Sequence, residues 1–147
     1  MKIFSTILAL CFTLYGGGLV IKNSPCNVAM TSHALEQNII KSGLRIVAKI
    51  NTQANAKAVG TTLAPSMMFI FTNPTHGMEL LQQDPTVGLD LPLRVVIYQD
   101  STNTTKIAYK DSSWLRSTHI ENAPKLMQKI DTGMDILTNT AIQECKQ

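Results

Sequence analysis

Residues 69–100 read FIFTNPTHGMELLQQDPTVGLDLPLRVVIYQD, and this stretch decides the fold because two apolar runs flank a segment rich in backbone-shaping residues. Asn73-Pro74 ends the first run, since a residue before proline is biased toward extended conformations. Gly77 permits a backbone geometry that side chains forbid. The pattern predicts two strands joined by a short helix near residues 78–83 and a turn at Asp84-Pro85. It contains no catalytic signature.

Apolar patterns on both sides of this stretch predict the other elements. Ser24 suits the N-cap and Pro25 the first position of a helix that Gly43 ends. A final helix opens at Asn122 and carries one apolar stripe, formed by Leu126, Ile130, Met134, Leu137 and Ala141. The predicted strands cover residues 19–21, 44–50, 67–71, 95–98 and 106–109, and residues 51–60 form a helical turn. We predict an α+β domain whose mainly antiparallel sheet has two principal helices packed on one face.

Composition excludes several classes of protein. The chain has 147 residues, of which 44% are hydrophobic and 16% charged, so it fits one globular domain with a substantial core. The net charge of +3 is scattered along the chain, and only 5% of the residues are aromatic. Nucleic-acid binding needs a basic patch, usually with aromatic side chains that stack on bases, so we predict no nucleic-acid partner.

The N-terminus predicts export. Met1-Lys2 precedes an uncharged run whose most apolar part, from Ile3 to Leu14, has the length of the apolar region of a signal peptide. The glycines at 16–18 suit signal peptidase, so residues 1–17 are interpreted as a signal peptide. The alternative is an uncleaved membrane anchor, since the uncharged run approaches the roughly 20 residues that span a bilayer. A lipid on Cys11 is disfavoured, because the preceding Leu10 is not small.

Removal of the signal peptide leaves two cysteines, Cys26 and Cys145. In an oxidising compartment they can pair and tie the start of the first helix to the end of the last. The alternative is two unpaired thiols. Cys26 is a poor nucleophile candidate, because His33 lies about 10 Å further along the same predicted helix and cannot accept its proton.

No metal or cofactor site is predicted. His33, His76 and His119 lack the i, i+4 spacing of a helical zinc site. Met67, Met68 and Met78 could bind copper, but Met67 and Met68 lie on opposite faces of one strand, and methionine is more often a core residue. Phosphate-binding loops and nucleophile elbows are also missing from the sequence.

The order of several short segments resembles the domain of unknown function 302 family over residues 18–120. The most specific segments are the Phe71-Thr72-Asn73-Pro74 turn and residues 89–94, which read LDLPLR. The remaining matches are Gly18-Leu19-Val20, Ser24, Thr31, Pro65, Gly77, Tyr109-Lys110-Asp111 and His119. The resemblance implies a TATA-box-binding-protein-like α+β domain in the order strand-helix-four strands-helix, and a homodimer. The helix in residues 121–147 packs on the same domain.

Departures from the family pattern bear on function. Where relatives often have Ile-Asp-His, this chain reads Ile50-Asn51-Thr52, so a titratable Asp-His pair is missing. That difference favours binding over acid–base chemistry. The polar residues Asn73, Arg94, Asp100 and His119 stand at matching positions and, with His76 in the turn, are the candidate ligand-binding residues.

We therefore predict a periplasmic or secreted, non-enzymatic binding or accessory domain of the cell envelope, with an unknown small-molecule ligand or an envelope protein as its partner. One alternative is a small enzyme with His119 or His76 as the acid–base residue. The other is a structural partner anchored in the inner membrane through residues 1–17.

Overall fold

A computed structural model describes residues 18–119 and 123–146. The predicted signal peptide or anchor, with Cys11, lies outside the described residues, and so does Asn122, where the sequence pattern opens the last helix. Within the described ranges, no helix combines the length and apolarity needed to cross a membrane.

The described residues form five strands, five α-helices and one 3₁₀ helix. They are β1 (Leu19–Ser24), α1 (Val28–Lys41), β2 (Arg45–Asn51), α2 (Thr52–Ala58), β3 (Ser66–Thr72), α3 (Pro74–Gln83), a 3₁₀ helix (Pro85–Leu89), β4 (Leu93–Gln99), β5 (Thr105–Lys110), α4 (Ser112–Thr118) and α5 (Pro124–Glu144). The five strands form one antiparallel sheet in the order β1-β5-β4-β3-β2. The predicted α+β class is confirmed, as is the order strand-helix-four strands-helix for the principal elements.

The core lies between one face of the sheet and the helices α1 and α5. Alternate strand residues enter it, among them Phe69, Val95 and Ile107, because neighbouring side chains of a strand point to opposite faces. Helix α5 buries every member of the predicted apolar stripe. Burying each large side chain stabilises the fold by about 1.5–3 kcal/mol relative to leaving it in water.

The structure also joins Cys26 to Cys145 by a disulfide, with their Cα atoms 6.2 Å apart. The bond connects the segment before α1 to the end of α5. It therefore holds together the two helices that cover the core face of the sheet.

Two helices begin at other residues than predicted. Helix α1 starts at Val28, where the side chain of Asn27 accepts a hydrogen bond from Met30 N at 2.9 Å. Ser24 is not its cap, because it pairs with Thr105 in the sheet and its hydroxyl bonds Thr31 at 2.7 Å. The predicted cap at Ser24 is wrong for this reason.

Helix α3 begins at Pro74 rather than near Met78. The Asn73 side chain accepts hydrogen bonds from Thr75 N at 3.1 Å and His76 N at 3.3 Å. Proline suits the first helical position because that position needs no N–H donor. The Asn-Pro turn is therefore the start of a helix, and it brings His76 into the first turn.

Helix α4 is an element that the sequence pattern did not predict. Asp111 caps it by accepting a hydrogen bond from Ser113 N at 2.9 Å. The buried Ser112 fixes it to α5, since its backbone nitrogen and hydroxyl both donate to Asp131, at 2.7 and 2.6 Å. This helix places Trp114 at the end of β5.

Candidate functional site

An apolar cavity of about 250 Å³ lies between α3 and α5, and we call it the α3–α5 cavity. Its apolar walls come from α3, α5 and the strands and turns beside them: Leu44, Phe71, Leu80, Leu91, Leu93, Ile130, Met134, Ile136 and Leu137. Polar side chains are few among its lining, which is typical of small-molecule sites. This cavity is the best candidate for a ligand site on the core side of the sheet.

Two glycines line this space without filling it. Gly133 faces it from α5, and a Cβ added there would meet no atom within 4 Å. Gly77 lines it from α3, where the nearest atom to an added Cβ would be Thr72 Oγ1 at 3.6 Å. The cavity therefore exists partly because side chains are missing at these two positions.

Five polar residues line the α3–α5 cavity: Ser42, Thr72, Asn73, His76 and Lys129. Asn73 has its side-chain oxygen committed to the cap of α3, so its main role is structural. His76 is half-buried and Lys129 is exposed. The nitrogen atoms of these two side chains could meet the acidic end of a ligand.

His119 lies in a different place, in a polar clamp. Its Nδ1 is 2.9 Å from Thr86 Oγ1 and its Nε2 is 2.9 Å from Asp90 Oδ2. Asp84 Oδ2 lies 4.0 Å from the Nδ1 atom of His119, and the His119 side chain is only 7% exposed. Since both ring nitrogens are engaged, the arrangement connects the end of α4 to the 3₁₀ segment.

The polar clamp also changes the pKa of Asp90. Burial raises the pKa of its carboxyl, but hydrogen bonds from His119 and Lys110 outweigh burial, so the pKa is lowered overall. Lys110 Nζ lies 3.0 Å from Asp90 Oδ1 and 3.7 Å from the centre of the Trp114 ring. Asp90 thus links His119 to the aromatic residue of α4.

Arg94 is exposed on the sheet face opposite to α1 and α5. It lines a second cavity of about 160 Å³, which we call the Trp114 cavity. Helix α4 approaches the sheet closely here, because Gly18 has φ +84° and a Cβ at that position would lie 2.9 Å from Trp114 N. Gly18 therefore helps to place Trp114.

Asp100 stabilises the β4–β5 hairpin. Its Oδ1 accepts hydrogen bonds from Thr102 Oγ1 at 2.7 Å, Thr102 N at 2.9 Å and Thr104 N at 3.0 Å. The bond from the Thr102 hydroxyl is the main reason that its pKa is lowered to about 2. Asp100 is not among the residues that line either cavity.

The structure thus brings together only Asn73 and His76 of the five predicted ligand-binding residues. Sequence reasoning missed Lys129 and Gly133, although their spacing of four places them on one side of α5 beside the apolar stripe. Trp114 is also not among the predicted site residues. Its placement depends on α4, which the pattern did not predict.

Fold and cavities together define a small α+β domain with one helix-covered sheet face and an apolar cavity in that layer. Residues 20–140 match the family model described as "Domain of unknown function DUF302". The chain belongs to this family.

Similar proteins support this assignment. A solved structure described as an uncharacterized conserved DUF302 protein from Bacillus stearothermophilus superposes with a TM-score of 0.70 at 20% identity, covering 88% of this chain and 99% of that one. That likeness shows the fold.

Fluoride-specific ion channel FluC 1 of Brucella suis is 31% identical over 107 residues, which are 73% of this chain and 42% of that protein. FluC 1 of Brucella abortus gives the same identity, with 40% of its length covered. The chain spans about two-fifths of the length of these curated relatives.

Proposed function

We propose that the protein is an exported, non-enzymatic binding domain of the cell envelope that holds a small amphipathic molecule in the α3–α5 cavity. The observation that carries this proposal is the cavity itself, with its apolar walls and with Lys129 and His76 among its lining. Its volume of about 250 Å³ is slightly below the usual range of ligand sites, roughly 300–1,000 Å³. A short apolar chain with an acidic end fits this combination.

The energetics favour a modest affinity. Each CH₂ that leaves water contributes about 0.8 kcal/mol, whereas association costs roughly 4 kcal/mol or more in lost freedom. By these figures a chain of about eight carbons gains at most about 2.4 kcal/mol, which corresponds to a Kd of roughly 20 mM. An ion pair with the exposed Lys129 would add little, about 0–1 kcal/mol, and would mainly orient the ligand.

The state of the candidate catalytic groups supports binding rather than catalysis. His119 has both ring nitrogens engaged by Thr86 and Asp90, and Cys26 is held in the disulfide. His76 is the remaining histidine beside the cavity, and it is well placed to contact a ligand.

Two observations support the envelope setting. Disulfides persist mainly in oxidising compartments, and Cys26 and Cys145 are joined. Relatives named as fluoride-specific ion channels contain the matched sequence within a longer chain. A domain that works beside membrane proteins, after export directed by residues 1–17, is consistent with both.

Calorimetric titration with octanoate tests the binding proposal. Gly133→Leu places a side chain in the cavity and should weaken octanoate binding by at least about tenfold, equivalent to about 1.4 kcal/mol. Gln128→Leu is the matched control, since it adds the same leucine to an exposed position of α5 outside the cavity lining. Absence of saturable binding, or equal binding by wild type and Gly133→Leu, would refute the proposal.

Export is tested separately by intact mass spectrometry of the full-length chain expressed in a bacterium with a periplasm. We expect a mature protein that lacks residues 1–16 to 1–18 and has two hydrogens fewer than the reduced mass. Retention of Met1 in the mature protein would instead identify an anchor.

A further inference from the structure

The sheet face that points away from α1 and α5 carries an apolar row across all five strands. The strand register aligns Ile21, Ala108, Val96, Met68 and Ile50 side by side. Ile21, on the edge strand, is 43% exposed. Three central members of this row, Ala108, Val96 and Met68, also line the Trp114 cavity.

Trp114 supplies an aromatic wall beside this apolar floor. Lys110 Nζ lies 3.7 Å from the centre of its ring, so a cation occupies one face of the indole. Lys110 also bonds Asp90, which compensates its charge. The wall is therefore held in place by contacts that leave the apolar floor open.

Arg94 supplies an uncompensated positive charge at the same cavity. It is exposed, and within residues 18–119 and 123–146 no carboxylate oxygen lies within 4.0 Å of its guanidinium. Lys110 follows Tyr109, the strand partner of Val95, and so lies beside Arg94 across β4 and β5. Asp90 and Asp111 also line the cavity, but Asp90 is paired with Lys110 and Asp111 caps α4. Arg94 is therefore the group that would attract an anion, and its planar fork suits a carboxylate.

We propose that the Trp114 cavity binds a small aromatic carboxylate. Arg94 binds the carboxylate, the ring lies on Val96, Met68 and Ala108, and Trp114 contacts the ring from the side. The volume of the Trp114 cavity, about 160 Å³, suits one aromatic ring. An apolar cavity of roughly 150 Å³ accommodates benzene. Aromatic pairs in offset or edge-to-face contact add about 0.5–1.5 kcal/mol to simple burial.

This site and the α3–α5 cavity lie on opposite sides of the sheet and share Leu93 as their one common lining residue. Val95 and Val96 are neighbours on β4 and point to opposite faces, Val95 into the core and Val96 into the Trp114 cavity. A side chain that fills the α3–α5 cavity should therefore leave the second site unchanged. The two sites can be tested in the same set of variants.

The experiment uses the fluorescence of Trp114, which is the single tryptophan of the chain. The mature protein is titrated with 3-phenylpropionate and, in parallel, with uncharged 3-phenylpropanamide. We expect a saturable change in Trp114 emission with the acid and at least about tenfold weaker binding of the amide. Equal binding of acid and amide would overturn the proposal, because Arg94 would then contribute no recognition.

Substitutions test whether 3-phenylpropionate binds in the Trp114 cavity. Arg94→Gln should weaken 3-phenylpropionate binding by about tenfold or more. The matched control is Arg45→Gln, which removes an exposed arginine from β2 outside the Trp114 cavity and should change the affinity by less than about twofold. The Gly133→Leu variant should bind 3-phenylpropionate with the wild-type affinity, even if it no longer binds octanoate. An unchanged affinity in Arg94→Gln, or no saturable signal with wild type, refutes the assignment.

Discussion

His119 Nε2 lies 2.9 Å from Asp90 Oδ2, and this bond joins the C-terminal end of α4 to the segment that enters β4. The two side chains are only 7% and 15% exposed, so water competes weakly for the bond. Lys110 uses the other oxygen of Asp90, at 3.0 Å. One carboxylate therefore holds both the clamp around His119 and the lysine that covers Trp114.

Removing this carboxylate charge should destabilise the protein at neutral pH. In Asp90→Asn, both charge-assisted bonds are weakened, and bonds of this type contribute about 1.5–3 kcal/mol each. We expect a loss of about 2 kcal/mol in the free energy of unfolding at pH 7, measured by urea denaturation. Glu79→Gln, at an exposed position of α3, should change it by less than about 0.5 kcal/mol.

The contribution of Asp90 to stability should change with pH in a defined direction. The folded-state pKa of Asp90 is lowered from 3.8, so its contribution is present above that value and is lost as the pH falls through the folded-state pKa. The stability difference between wild type and Asp90→Asn should therefore shrink as the pH is lowered below 3.8. A difference that stays constant down to strong acid would mean that the charge of Asp90 contributes nothing.

The disulfide should be a large contributor to stability. Cys26 and Cys145 are 119 residues apart in sequence, and closing a loop of this length stabilises a protein by about 5 kcal/mol in the chain-entropy model. The double variant Cys26→Ser, Cys145→Ser should lower the midpoint of urea unfolding by a corresponding amount. Addition of a reductant to the wild type should produce the same shift, and should leave the double variant unchanged. Equal stability of oxidised and reduced wild type would contradict the prediction.

The fold could be predicted from sequence because its signals are local. The stripe on α5 repeats at helical spacing, and the strands contain short apolar runs bounded by Pro, Gly and Asn, so each element carries its own evidence. The start of α1 could not be predicted in the same way. Ser24 and Asn27 are both good caps, and the choice between them depends on the pairing of Ser24 with Thr105, which is a contact between distant residues.

The candidate sites were less predictable because each depends on contacts between distant residues. Lys129 and Gly133 reach His76 only after α5 has folded back over α3. His119 meets Asp90 across 29 residues because α4 returns the chain to the 3₁₀ segment. Arg94 and His76 come from one continuous stretch, yet the alternation of side chains along β4 puts Arg94 on the opposite face of the sheet.

Asp100 provides a second test of pH dependence, at the β4–β5 hairpin. Its pKa falls from 3.8 to about 2 on folding, so its stabilisation is complete above about pH 4 and is lost between about 4 and 2. Asp100→Asn should lower the melting temperature at pH 7 and flatten its pH dependence in this acid window. Thr102→Val removes the hydroxyl that lowers the pKa most, so the carboxyl should titrate at higher pH when followed by NMR. An unchanged titration of Asp100 in Thr102→Val would refute this assignment.

Two glycine positions test how backbone geometry decides the effect of one added methyl group. Gly133 and Gly43 both have open space, since an added Cβ meets nothing within 4 Å at either position. Gly133 lies inside α5, where alanine is favoured over glycine by about 1 kcal/mol, so Gly133→Ala should raise the free energy of unfolding by that amount. Gly43 follows α1 with φ +69°, a conformation that costs a side chain roughly 1–2 kcal/mol, so Gly43→Ala should lower it. Urea denaturation of the two variants beside the wild type measures both effects. Changes of the same sign would show that space, rather than backbone conformation, controls these sites.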